Sequence, residues 1–414
     1  MADLLKLLAI FAALVVVLRL TKYLYVAIAA ALILTSVLYH IGFVKTLTLS
    51  GQALAGKTTI TTVLAFYTIT FLQRMLEKRR RLAGAQQAMS RIFNNQRVNA
   101  SLAPILVGML PSAAVAKLCG AMVNDAAKDN LPVEEKAFVT SYYRHICESF
   151  LPAYTGVIIG TSLSGIPLSA FITGMLPLVL ILVLLGYVFY LRKIPKETGL
   201  PPGKDKGKDA LVLLSNLWPI VLVVTIVMAL NGRPAAGILG MPFAAVTIVI
   251  VLSIVVDKFT WTELKPMFRS AFEPKLIIST VMIMIFREIL EYSQVIGILP
   301  SLFMGLPIPA FLIYVAIFFF GGIISGQQAI TVIGIPLAFA DPNVAGGMPL
   351  LVMLMSTSYA AMQISPTHVC LAVVTDYFNI SMGALVKKTL PVILTFLAIL
   401  PFYYLLLTAL GIGN

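Results

Sequence analysis

Charge is scarce in this chain. Only 11% of its 414 residues are Asp, Glu, Lys or Arg, while 59% are hydrophobic and the mean hydropathy is +0.97. A soluble domain carries about 25% charged residues and about 45–50% apolar ones. Folded in water, such a chain could not cover its own surface, so soluble enzymes, disordered proteins and secreted disulfide scaffolds are excluded. Cysteine is also rare: Cys119, Cys147 and Cys370 form no CxxC pair, and an odd number so widely spaced gives no disulfide framework. With three histidines, no His/Cys/Asp cluster has metal-ligand spacing along the chain, so no metal or other cofactor is expected. Acidic residues are outnumbered, 17 against 30 Lys and Arg. In a membrane chain that excess belongs to loops beside an anionic leaflet and not to a nucleic-acid surface.

What remains is apolar helix. At roughly 20 residues per crossing, the hydropathy predicts ten spans: 3–18, 23–41, 57–76, 141–165, 168–191, 211–230, 237–256, 275–295, 351–378 and 389–411. Two further apolar segments, 99–127 and 310–340, are broken by Gly, Pro and polar residues and read as re-entrant hairpins. The fold class is therefore an all-α polytopic membrane protein of ten spans and two hairpins. The first span has a weak basic flank and no small-residue cleavage site, so it is kept as a span. Lys and Arg concentrate at Arg74–Arg97, Lys128–Arg144, Arg192–Lys208, Lys258–Lys275 and Lys387–Lys388. Placing all of these in the cytoplasm puts both termini outside, and the protein is expected in the plasma (inner) membrane.

Shifting the sequence by 214 residues lays its second half on its first without gaps. Phe71–Glu77 meets Ile285–Glu291, Gly108 meets Gly322, Leu151-Pro152 meets Ser365-Pro366, and Leu176-Pro177 meets Leu390-Pro391. Each half, 1–192 and 211–414, then holds five crossings and one hairpin. Five is odd, so the second half enters the membrane inverted, the architecture of secondary transporters with a midplane site. The charged Pro/Gly stretch 193–210 joins them as a cytoplasmic linker.

Four interruptions fall at matching places. The hairpins turn near Gly108, Pro111 and Ser112, and near Gly322, Ser325, Gly326, Gln327 and Gln328; the fourth span breaks at Pro152 and Thr155, and the ninth at Ser365, Pro366, Thr367 and His368. Proline breaks or kinks a helix. The freed N–H groups favour anions and the freed carbonyls can hold Na⁺. Intramembrane ionisable residues are functional candidates: His368, Asp376 and Glu148 could couple a proton, against the plainer readings of Glu148 as the i, i+4 partner of Arg144 and of Asp376 as a boundary residue. Arg287 and Glu288 read as boundary residues. Gly51–Thr58 matches GxxxxGK[ST], but a membrane helix and not a strand precedes it, which argues against nucleotide binding.

Hairpin plus broken helix in inverted halves resembles the ion transporter superfamily of gluconate, citrate, dicarboxylate and arsenite permeases, and within it an uncharacterised integral-membrane family. Leu106–Pro111, Tyr143–Glu148, Ser365–Leu371 and Asp376–Phe378 carry the resemblance. It implies hairpin tips and helix breaks enclosing the solute and its coupling ion, a homodimeric scaffold, and elevator-like movement. The Ser-Asn-Thr tips of the dicarboxylate symporters are missing, so their substrate and sodium sites do not carry over. The expected function is a secondary active transporter of a small organic anion coupled to Na⁺ or H⁺, not an enzyme. A cation/proton antiporter using Glu148 or Asp376 is the nearest alternative, and an intramembrane enzyme using His368 and Asp376 is a more distant one.

Overall fold

The computed structural model describes residues 2–21, 23–109, 114–197, 205–293, 308–365 and 368–413. The expected site residues Pro111, Ser112, Pro366 and Thr367 lie outside the described residues. Regular structure among the described residues is helical. The first half comprises α1 (Ala2–Thr21), α2 (Leu24–Leu38), α3 (Phe43–Ala55), α4 (Lys57–Lys78), α5 (Arg81–Phe93), α6 (Gln96–Val107), α7 (Ala114–Ala127), α8 (Val133–His145), α9 (Thr155–Ser164) and α10 (Leu168–Phe189). The second comprises α11 (Lys206–Leu230), α12 (Pro242–Val256), α13 (Trp261–Ala271), α14 (Pro274–Tyr292), α15 (Ala310–Ser325), α16 (Gln327–Phe339), α17 (Gly347–Met362), α18 (Val369–Phe378) and α19 (Met382–Ala409).

Three of these, α10, α11 and α19, are long and apolar enough to cross a bilayer unaided. The apolar helices α2, α9, α12, α15, α16, α17 and α18 are shorter, at 10–17 residues, so the ten unbroken spans the hydropathy suggests are not all present as such. The predicted span 141–165 is two helices, α8 and α9, separated by a single turn at Ile146–Ser149 and a non-helical stretch containing Pro152. The predicted span 351–378 is likewise α17 and α18, parted at residues 363–368. Hydropathy averaging also passes over α3, α5 and α13, whose polar and apolar residues alternate by face. In α13, Thr262, Lys265 and Arg269 are exposed while Leu264, Met267 and Ala271 are buried, and Thr260 and Glu263 form a capping box at its start.

Helix bounds repeat along the chain. Adding 214 to the ends of α9 gives the ends of α18; the same shift carries the starts of α8 and α10 to those of α17 and α19, and the end of α4 to that of α14.

The core lies at the broken helices. Every residue of α17 from Met348 to Met362 is buried, so this helix is enclosed by protein on all faces. It packs on α15, α16 and α19. α6 packs on α7 and α8, and α15 on α16. The α15–α16 turn needs Gly326, whose φ of 85° suits a residue without Cβ. By contrast α11 leaves Leu211, Leu214 and Val221 exposed, as suits a helix facing lipid. Polar ties sit at the helix ends: Arg79 donates to Glu263 at 2.7 Å, Arg81 pairs with Asp257, and Lys193 and Lys388 reach Glu135 at 2.8 and 3.0 Å.

Candidate functional site

α9 and α16 begin against each other. Neither start has a side-chain cap; the N–H groups of Thr155 and Gly156 in α9 and of Gln327, Gln328 and Ala329 in α16, at the positive ends of both helix dipoles, have no backbone partner among the described residues. Close approach depends on Gly156: a methyl there would stand 3.1 Å from the Gln327 side-chain carbon. In front of these two helix starts is a cavity of about 500 Å³, which Thr155, Gly156, Gln327 and Gln328 line. The buried Gln327 Nε2 has no hydrogen-bond partner among the described residues.

The opposite wall carries charge. Arg144, the last residue but one of α8, is only 1% exposed, yet it lines the cavity together with Glu148. Its Nη1 lies 2.7 Å from Nε2 of His145, whose Nδ1 lies 2.6 Å from the Ser141 carbonyl. A carbonyl only accepts, so Nδ1 carries the proton and Nε2 accepts from the guanidinium. The Glu148 carboxylate is 3.8 Å from the same Nε2. From α18, His368 places its Nε2 at 3.0 Å from His145 Nε2, and Cys370 reaches the cavity. Donor atoms of His145, His368 and Cys370 lie within 4.8 Å of one another. Distance along the sequence hid this grouping. The adjacent guanidinium makes it a poor cage for a cation, and its residues are better suited to accepting hydrogen bonds from Arg144.

The remaining expected residues are dispersed. Pro152 borders a separate apolar crevice of about 60 Å³ with Met109 and Leu151. Ser325 bonds back to the Gly321 carbonyl at 2.7 Å, and Ser365 donates to the Ile323 carbonyl at 2.7 Å. Gly322 packs on Ala361, and Gly108 packs on the Arg144 carbonyl while accepting a hydrogen bond from the Tyr154 hydroxyl. Asp376 is exposed, at the opposite end of α18 from His368. Arg287 pairs with Glu291 at 2.8 Å. Arg144 and His145 are the principal residues the sequence reading did not assign to the site. The signal was available, since an Arg-His pair one turn before a broken helix is costly to bury unless something uses it.

At its far end the cavity reaches Arg74, which pairs with Glu77 at 3.1 Å and Glu273 at 3.2 Å. There it adjoins a second chamber of about 270 Å³ sharing Thr155, Glu273, Leu276 and Gln328, beside Lys275.

Comparison with known proteins agrees with this architecture. The solved structure of the YdaH transporter of Alcanivorax borkumensis, described as having an unusual topology, superposes with a TM-score of 0.63 at 12% identity over 89% of each chain. The chain therefore shares the fold of a membrane transporter. No curated protein matches it by sequence. Residues 4–407 match the family described as "Protein of unknown function (DUF401)", and the chain belongs to that family.

Proposed function

We propose that this protein is a secondary active transporter that moves a small organic anion, coupled to H⁺ or Na⁺. One observation carries the reading: two uncapped helix starts and a buried arginine face one polar cavity. Helix N-termini and guanidinium groups both favour carboxylate and oxyanion ligands. A cavity of about 500 Å³ suits a small molecule. The unpartnered Gln327 amide offers a further donor.

The transport mechanism we propose is alternating access by two inverted repeats, residues 1–192 and 211–414, around linker 193–210. The recurrence of helix bounds at a shift of 214 supports the repeat. On this reading α6–α7 and α15–α16 are the two hairpins. The helix-rich scaffold would pair as a homodimer in the inner membrane while the hairpin-bearing part moves as an elevator. On the same reading the Arg74–Glu273 mouth is cytoplasmic, which the bias of Lys and Arg supports.

Glu148 at the cavity wall keeps a cation/proton antiporter as the second reading. Uptake of radiolabelled gluconate, succinate and citrate into proteoliposomes, with imposed pH or Na⁺ gradients, tests both. Organic-acid accumulation that ionophores abolish supports the anion reading. Cation-driven proton flux without acid transport supports the antiporter instead.

A further inference from the structure

The arrangement at Arg144 goes beyond binding, and its consequence rests on the transporter reading above. We infer that Glu148 carries a coupling proton, so that an anionic solute and one H⁺ enter the site together as a neutral pair.

The argument is one of charge count in an enclosed space. Among the described residues lining the cavity the cations are Arg144 and Arg74, and Arg74 is held by Glu77 and Glu273 at the mouth. Deep in the site Arg144 therefore faces one carboxylate, Glu148. The groups that act on Glu148 are Arg144 and His145 from α8, Cys147 from its own turn, Tyr154 before α9, Tyr359 from α17 and Cys370 from α18. Thiols and phenols are uncharged at neutral pH. His145 is neutral by geometry: Nδ1 donates to Ser141, and Nε2 accepts from Arg144. His368 turns its Nε2 toward that same nitrogen, so Nε2 is its protonated atom, and a second proton on Nδ1 would make His368 a cation beside the Arg144 guanidinium.

The empty site thus holds one positive and one negative group. A monoanion arriving at Arg144 would leave an uncompensated negative charge in a low-dielectric interior, which is strongly unfavourable. A proton drawn from the bulk solution through the cavity and bound by a Glu148 carboxylate oxygen removes that excess. The solute then replaces Glu148 as the counter-ion of Arg144. Deprotonation of Glu148 on the far side restores the negative charge near Arg144 and expels the solute. No Na⁺ is needed, and for a monoanion the cycle moves no net charge.

Proton uptake on binding tests this directly. Purified protein in weakly buffered detergent solution, with a pH-indicator dye, would be titrated with gluconate. The expected result is one H⁺ taken up per gluconate bound, with affinity weakening about tenfold per pH unit once Glu148 ionises in the empty protein. Glu148→Gln should bind gluconate with no proton uptake and a flat pH profile. In proteoliposomes it should retain gluconate exchange but lose accumulation driven by a pH gradient. Glu148→Asp should restore proton uptake with a shifted profile, and Asp376→Asn, at the exposed end of α18, should leave it intact. Gluconate binding without proton uptake in the wild type would overturn the inference while sparing the transporter reading, as would Na⁺-dependent binding independent of pH. If Glu148→Gln does not fold, the wild-type stoichiometry alone decides. Failure of gluconate, succinate and citrate alike to bind or move would remove the parent reading and this inference with it.

Discussion

Gly108 is pressed against the backbone of Arg144, so closely that an added methyl would overlap the Arg144 carbonyl oxygen. Moving on by 214 residues, Gly322 stands in the same relation to Ser358, where the methyl would be 3.7 Å from the carbonyl oxygen and 2.8 Å from the Ala361 Cβ. Both contacts bring a helix of one pair onto the broken helix that follows it. At Gly108 the obstacle is backbone, which cannot rotate away. Gly108→Ala should therefore destabilise by about 1–3 kcal/mol and displace Arg144. Gly322→Ala should cost less. Thermal unfolding in detergent of the two variants would show the asymmetry, and equal effects would count against it.

Arg144 should not tolerate lysine. A guanidinium offers a planar fork and stays charged when buried, whereas an ammonium gives a point charge. Losing a charge-assisted hydrogen bond costs about 1.5–3 kcal/mol, or roughly 10- to 150-fold in affinity. Arg144→Lys and Arg144→Gln should both raise the KM for the transported acid by that order. Unchanged KM in both would remove Arg144 from the binding site.

Gln327→Ala tests the second wall. Its Nε2 is buried and lacks a partner among the described residues, so no internal hydrogen bond is broken by truncation. Loss of a neutral donor to the solute should weaken binding by about 1 kcal/mol, close to fivefold, with little effect on stability. A stability loss with no change in affinity would make Gln327 a packing residue.

Cysteine accessibility reports on the cavity's opening. Cys370 lines the cavity, whereas Cys119 and Cys147 are fully buried. A membrane-impermeant methanethiosulfonate applied from the cytoplasmic side should label Cys370 alone, and a transported acid should slow the labelling. Equal labelling of Cys119 or Cys147, or no protection by any transported acid, would contradict this placement.

The linker clamp carries a pH signature. Burial alone would raise the Glu135 carboxyl, but hydrogen bonds from Lys193 and Lys388 outweigh it and hold the group below its ordinary range. A depressed carboxylate contributes stability that is present above the ordinary carboxylate pKa and is lost as pH falls through the lowered one. Glu135→Gln should cost about 1–3 kcal/mol at neutral pH. The gap to wild type should close on acidification below about pH 4. A gap that widened on acidification would reverse the assignment.

Much of this was readable from composition and from proline. Low charge and high hydropathy set the all-helical membrane class, and the prolines at 152 and 366 mark the stretches where α8 gives way to α9 and α17 to α18. Amphipathic helices such as α3 and α13 stayed hidden because averaging over a window cancels their two faces. The site was less legible. Thr155, Gln327, Gln328 and Glu148 line the cavity, but Ser325 satisfies its own helix and Asp376 sits at a helix end. His145 and His368 are 223 residues apart, and only tertiary packing brings their rings to 4.9 Å. Local patterning finds where a helix stops; it does not say which stops meet.

Accumulation of a radiolabelled organic acid in proteoliposomes is the most direct measurement of the central claim. Wild-type protein should concentrate at least one of gluconate, succinate and citrate above the level of protein-free vesicles. An ionophore that dissipates the driving gradient should abolish this, and Arg144→Gln should sharply reduce it at acid concentrations near the wild-type KM. Accumulation that equals empty vesicles for every acid, or that survives both the ionophore and the loss of Arg144, would contradict the account.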